Sequence, residues 1–148
     1  MYLNRKEDLS VYYFLVDLFQ SIPQIKIVDG FPEDELTIPT IAVEAHDINA
    51  YKAELGNTKR LKYRTWSIDI FAVNKSQRDD ISYKILDALE QCISVYDYDE
   101  GFPPTVVTKL GCLQVDDMKL EIIRIFPELT GSLYYRAIIT FTAVNNKL

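Results

Sequence analysis

The sequence predicts an α+β domain: a mostly antiparallel or mixed sheet of four to five strands carrying two helices, in the order α-β-β-β-α-β-β. Three observations predict it. Apolar residues recur at helical spacing in two separate stretches, one at the start of the chain and one in its middle. Other stretches alternate apolar and polar residues, as half-buried strands do. Helical and strand stretches do not alternate one-to-one, which argues against a doubly wound parallel sheet.

The first helix is expected at about residues 5–21. Asn4 and Glu7 have capping-box spacing, Leu9, Tyr12, Leu15, Val16 and Phe19 follow at helical intervals, and Pro23 ends the run. Ile25 and Ile27 before Asp29-Gly30 read as a short strand and a turn, and residues 31–35 as a polar loop. Ile38 to Glu44 is strand-like, with Pro39 at a strand start or a sheet edge. Residues 46–61 keep neither period and read as a long polar link, which compact domains seldom carry without a use. Lys62 to Asn74 is the clearest strand, with Trp66, Ile68, Ile70 and Ala72 on one face.

Ser76 and Asp79 suggest a second capping box, Asp79-Asp80 suits the positive end of the helix dipole, and a helix is expected over roughly 77–94. Its apolar face would run through Ile81, Ile85, Leu89, Cys92 and Tyr96. Residues 95–109 read as an acidic, aromatic loop. Leu113–Ile125 and Leu133–Val144 read as a long closing hairpin, with a turn at 127–132 and a bulge or two-sided burial at Ile122-Ile123. There is no internal repeat and no linker-like composition, so 1–148 is expected to be a single domain with a long loop at about 46–61.

At 148 residues, 48% hydrophobic and 26% charged, the chain can bury a globular core. Its net charge of −6 speaks against a nucleic-acid footprint. The N-terminus has no signal-peptide core and no segment approaches membrane-spanning length, so cytoplasmic synthesis without a membrane partner is expected. Cys92 and Cys112 lie in apolar contexts and read as buried free thiols.

The residue types give little support to chemistry. The five glycines are scattered and form no phosphate loop. His46, the only histidine, has no Ser or Cys nucleophile near it in sequence and reads as a surface residue. Two cysteines and one histidine do not make a zinc spacing. Asp97, Asp99 and Glu100 are close enough to chelate calcium but lack the twelve-residue calcium-loop spacing, so a solvated acidic loop is the stronger reading. A metal-dependent nuclease set would draw on Glu44, Asp69, Asp117 and Lys119. We expect no enzyme, no cofactor and no metal. What remains is contact chemistry. The basic run Lys59, Arg60, Lys62 and Arg64 would meet acidic groups of another subunit, such as Asp97, Asp99 and Glu100, with Tyr51 and Phe102 adding aromatic contact area. Complementary patches on one chain suit a head-to-tail ring.

The segment from Tyr63 to Ala72, followed by Asn74-Lys75-Ser76-Gln77-Arg78-Asp79-Asp80 and a helix, resembles the central strand–helix unit of tail-terminator and neck proteins of long-tailed bacteriophages. The leading helix, the strand before a long loop and the closing hairpin are similar in outline. The resemblance implies a structural virion protein, assembled in the host cytoplasm, that forms a homo-oligomeric ring, usually a hexamer. Such a ring caps the tail tube and joins it to the head connector, with DNA only as passing cargo. It implies no catalytic set. Rivals are a head-completion or connector adaptor of the neck, a small metal-dependent nuclease, and a host-factor-binding module. The loop with Phe102-Pro103-Pro104 departs from the family outline.

Overall fold

The computed structural model describes residues 1–30, 37–52, 60–101, 104, 106–123 and 135–147, with backbone alone for residues 51, 52, 60, 61 and 147. Helix α1 (Leu3–Leu18) leads into β1 (Lys26–Asp29), β2 (Thr40–Lys52) and β3 (Arg60–Ala72). Helix α2 (Lys75–Leu89) follows, then β4 (Ile93–Tyr96), β5 (Lys109–Ile123) and β6 (Tyr135–Lys147). The six strands form one mixed sheet in the order β1-β2-β3-β6-β5-β4. β1 pairs with β2 in parallel and every other neighbour is antiparallel. The α+β class, the mixed sheet, the two helices and the closing hairpin are as expected. The sheet has six strands rather than four to five because β4 falls across the end of the expected second helix and the start of the expected acidic loop.

Both helix starts differ from expectation. The N-cap of α1 is Tyr2, which makes no side-chain cap, and Asn4 and Glu7 lie inside the helix. The N-cap of α2 is Asn74, two residues before Ser76. Its side-chain oxygen accepts from the Gln77 N–H at 2.8 Å, and the Gln77 side chain accepts from the Val73 N–H at 2.8 Å. The capping box thus belongs to Asn74 and Gln77. Asp79 and Asp80 fall beyond the first turn, which holds no acid, so the dipole reading fails. α2 ends at Leu89, and Ile93–Tyr96 then alternates buried and half-buried side chains as a strand.

α1 lies against β1 and β2 near one edge of the sheet and against β4 at the other, while α2 packs on β3, β5 and β6. A flat six-stranded sheet would separate its edge strands by about 24 Å, more than twice the width of a helix. The sheet therefore curves around α1. Trp66, Ile68 and Ile70 of β3 and Ala137, Ile139 and Phe141 of β6 line the concave side, where they meet Val11 and Leu15 of α1 and Ile81, Ile85 and Leu89 of α2. Trp66 and Phe141 are register partners and stack at 5.5 Å between ring centroids.

Two bulges interrupt the alternation. In β2 the register steps from Ala45↔Trp66 to Ile48↔Arg64, so His46 and Asp47 together stand opposite Thr65. In β5 the step lies between Val115 and Asp117. No bulge occurs at Ile122-Ile123, where pairing with β6 is continuous and Ile122 is exposed. The β2 bulge explains why residues 46–61 show no clean period. That stretch, expected to be a polar link, is paired strand over 46–52 and from Arg60 onward. Beyond Tyr63 the sheet forks: β6 continues with β5 to Lys147, while β3 continues with β2 alone. The three pairs from Ala50↔Lys62 to Lys52↔Arg60 form a two-stranded arm about 7 Å long at 3.4 Å per residue. Residues 44–50 are exposed throughout.

Candidate functional site

The basic run divides once folded. Arg64 shares a face with Trp66, two positions on, and therefore points to the helix side at the base of the arm. Only 3% of its surface is exposed. Its guanidinium donates to the Asn4 carbonyl at 2.9 Å and pairs with Glu7 at 3.2 Å and Asp8 at 2.9 Å, with its carbon centre 4.7 Å from the Trp66 ring centroid. Arg64 is thus an interior tie between α1 and β3. The expectation that it forms part of a surface contact fails for that reason. Lys62, by contrast, is exposed on the arm. Tyr51 and Arg60 are arm strand positions, paired with Leu61 and Lys52. Lys59 and Phe102 lie outside the described residues.

The acidic stretch is not a freely solvated loop. Lys6 of α1 reaches Asp97 and Asp99 at 3.0 Å each, and the Met1 amino group reaches Asp99 at 3.0 Å. The hydrogen bonds that Lys6 donates to Asp97 and then to Asp99 raise its pKa, and the Met1 amine followed by Lys6 lowers that of Asp99. The seat a calcium ion would take between the two carboxylates is held by the protein's own ammonium. Glu100 is exposed beside them. Among the described residues no cluster of three or more His, Cys, Asp or Glu is arranged to hold a metal.

Below this clasp, α1 and β4 enclose a cavity of about 420 Å³ lined by Tyr13, Phe14, Asp17, Ser94, Tyr96 and Tyr98 among others. Tyr13 and Tyr98 stack with centroids 5.5 Å apart. Burial pushes both phenols above their ordinary pKa, Tyr12 adding to the shift of Tyr13; at Tyr98 a Ser10 hydrogen bond works against the rise, while the negative field of Asp17 is among the charges that reinforce it. The Ser10 hydroxyl also accepts from the Tyr96 N–H at 3.2 Å, which caps the outer edge of β4. Asp17 is exposed at the rim and has no ion pair among the described residues. This site was not anticipated. Its two rings are far apart in sequence and meet only through the docking of α1 on β4.

Cys92 and Cys112 form a disulfide with Cα atoms 5.7 Å apart, so the expectation of buried free thiols is overturned. Pairing of β4 with β5 brings them together, and Cys92 is exposed rather than buried. His46 is exposed as expected, but its Nε2 lies 2.6 Å from the Ser67 hydroxyl, so a serine is near it in space. Glu44, Asp69, Asp117 and Lys119 all fall on the convex, helix-free side, on three different strands. Glu44 and Lys119 share one row through Ser67 and Thr140, three strand spacings or about 14 Å apart. Asp69 is paired with Arg136 at 3.0 Å. The four do not converge.

No protein-family model matches the chain, nor does any curated protein. The solved structures it resembles include a chain of a virion particle and a bacteriophage protein. A chain of the virion of a native gene transfer agent particle aligns over 90% of this chain and 84% of its own length, at 11% identity and a TM-score of 0.46. The bacteriophage SPP1 gp17 protein aligns over 96% of this chain and 86% of its own, at 15% identity and a TM-score of 0.40. Neither supplies a role for any residue here. Among the described residues no helix is long and apolar enough to cross a membrane.

Proposed function

We propose that this chain is a structural virion protein, a tail terminator that forms a homo-oligomeric ring, caps the tail tube and joins it to the head connector. The observation that carries this reading is the forked sheet. Beyond Tyr63 the β2–β3 arm leaves the body of the sheet, with Ala50 exposed on it and Ala45 and Ile48 exposed at its base. A two-stranded ribbon is at best marginally stable in water, and its unpaired edges invite pairing with another chain. An arm of this kind fits assembly better than catalysis. The resemblance of the Tyr63–Asp80 segment to tail-terminator and neck proteins supports a station at the head-proximal end of the tail. The dispersal of the nuclease set over three strands adds weight against the enzymatic rival.

Sedimentation of the purified protein, alone and with tail tube protein, tests the reading. Ring-sized particles that bind tube ends and stop their growth are expected. A monomer at high concentration that ignores tube protein would overturn it. Binding to the portal-proximal ring in place of tube ends would move the chain to the connector-adaptor role. Magnesium-dependent DNA cleavage lost in Asp69→Ala would replace the structural reading with the nuclease.

A further inference from the structure

The fold twice builds a unit of aromatic ring, cation and carboxylate. Arg64 sits 4.7 Å from the Trp66 centroid and pairs with Asp8 at 2.9 Å. Arg136 sits 5.1 Å from the Phe71 centroid and pairs with Asp69 at 3.0 Å. Ring and carboxylate both favour the cation, and each holds it where the other also contributes. At the α1–β4 cavity a third such set lacks its cation. Tyr13 and Tyr98 supply stacked rings, Asp17 supplies the carboxylate at the rim, and no ion pair reaches Asp17 among the described residues. The acids expected to receive a neighbour's cations, Asp97 and Asp99, are already bound by Lys6.

We propose that the Tyr13–Tyr98–Asp17 cavity is the socket in which a second copy of this chain seats a cationic side chain of its β2–β3 arm, Lys62 being the residue the arm offers. Charge complementarity selects this occupant. Lys62 is exposed with no ion pair among the described residues, and Lys59 and Arg60 precede it in sequence. The arm springs from the N-terminal end of α1, where Arg64 binds Asn4, Glu7 and Asp8; the socket lies beside the C-terminal half of the same helix. The two surfaces are therefore distinct patches, and their contact is head-to-tail, the geometry that closes into a ring. This inference rests on the ring-forming reading proposed above and names the contact that would build it.

Asp17→Asn, Asp17→Lys, Lys62→Glu and the double variant Asp17→Lys/Lys62→Glu, compared with the parent protein by sedimentation, test it. Both altered side chains are solvent-exposed, and far-UV circular dichroism confirms that each variant is folded. Asp17→Asn is expected to weaken association about tenfold or more, as loss of one partner of a desolvated charge pair does. Each single reversal should leave monomers, and the double reversal should restore assembly. If the parent assembles and Asp17→Asn assembles equally well, the socket is wrong while the ring stands. A double variant no better than the single ones overturns the Lys62 pairing in the same way. A parent protein that stays monomeric with and without tube protein overturns the ring, and the socket with it.

Discussion

Replacing Arg64 by methionine removes a guanidinium that is 3% exposed and holds three acceptors on α1. The acceptors fare differently. Asp8 is 20% exposed and still accepts from the Trp66 indole N–H at 3.0 Å, so water and Trp66 retain it. Glu7 is only 4% exposed in its side chain and loses the one cation that pairs with it among the described residues. Leaving a charge buried without its partner costs about 3–5 kcal/mol. For a chain of this size that lowers the melting temperature by on the order of 10 °C. Urea unfolding followed by the fluorescence of Trp66, the only tryptophan, measures the loss next to the perturbation itself. Adding Glu7→Leu removes the stranded charge, so Arg64→Met/Glu7→Leu should recover most of the stability. A cost below about 1 kcal/mol for Arg64→Met, or a double variant as unstable as the sum of the singles, refutes the buried tie.

Asn74→Ala should destabilise by about 1 kcal/mol through loss of the α2 cap, whereas Ser76→Ala should stay within about 0.5 kcal/mol; equal effects in thermal unfolding would contradict the cap assignment. A Cβ at Gly111 would collide with the Asn145 side-chain oxygen and lie 2.9 Å from the Asn146 carbonyl oxygen, so Gly111→Ala should cost about 1–3 kcal/mol in urea unfolding. The lowered pKa of Asp99 means that its contribution is present above the ordinary carboxylate value of about 4 and is lost as pH falls through the lowered one. An NMR titration of the Asp99 carboxyl should show a midpoint below that value, and Lys6→Met should move it upward; an unmoved midpoint would remove Lys6 from the clasp.

The parts of the fold that were legible were those with an uninterrupted period. β3 and β6 alternate cleanly because one side faces the helices, β5 does so on either side of its bulge, and α2 keeps its apolar stripe through Ile81, Ile85 and Leu89. The ends of elements were misread where side chains have other uses. Glu7 stands at capping-box distance from Asn4 but turns to Arg64, a partner 57 residues away. The alternation in Ile93–Tyr96 was hidden because Cys92 and Tyr96 also continue the helical spacing of α2. Arg64 looked like one cation in a surface run, although its parity with Trp66 already placed it on the core face. The disulfide and the Tyr13–Tyr98 cavity had no local signature, since each joins separate elements through tertiary pairing.

The bulge at His46-Asp47 gives the arm a separate address from the core. Upstream of it, Ile41 and Val43 are locked to the buried side; downstream, the inserted residue resets which alternate positions look the same way as Arg64. Deleting one of the two bulge residues would restore plain alternation and remove the local bend, while the pairs from Thr40 to Ala45 kept their register and Ile48 and Ala50 stayed on the side of Arg64. A single-codon event can thus re-aim the arm without asking the interior to adapt. A lineage that must keep matching a changing neighbour would find in this hinge an inexpensive place to vary.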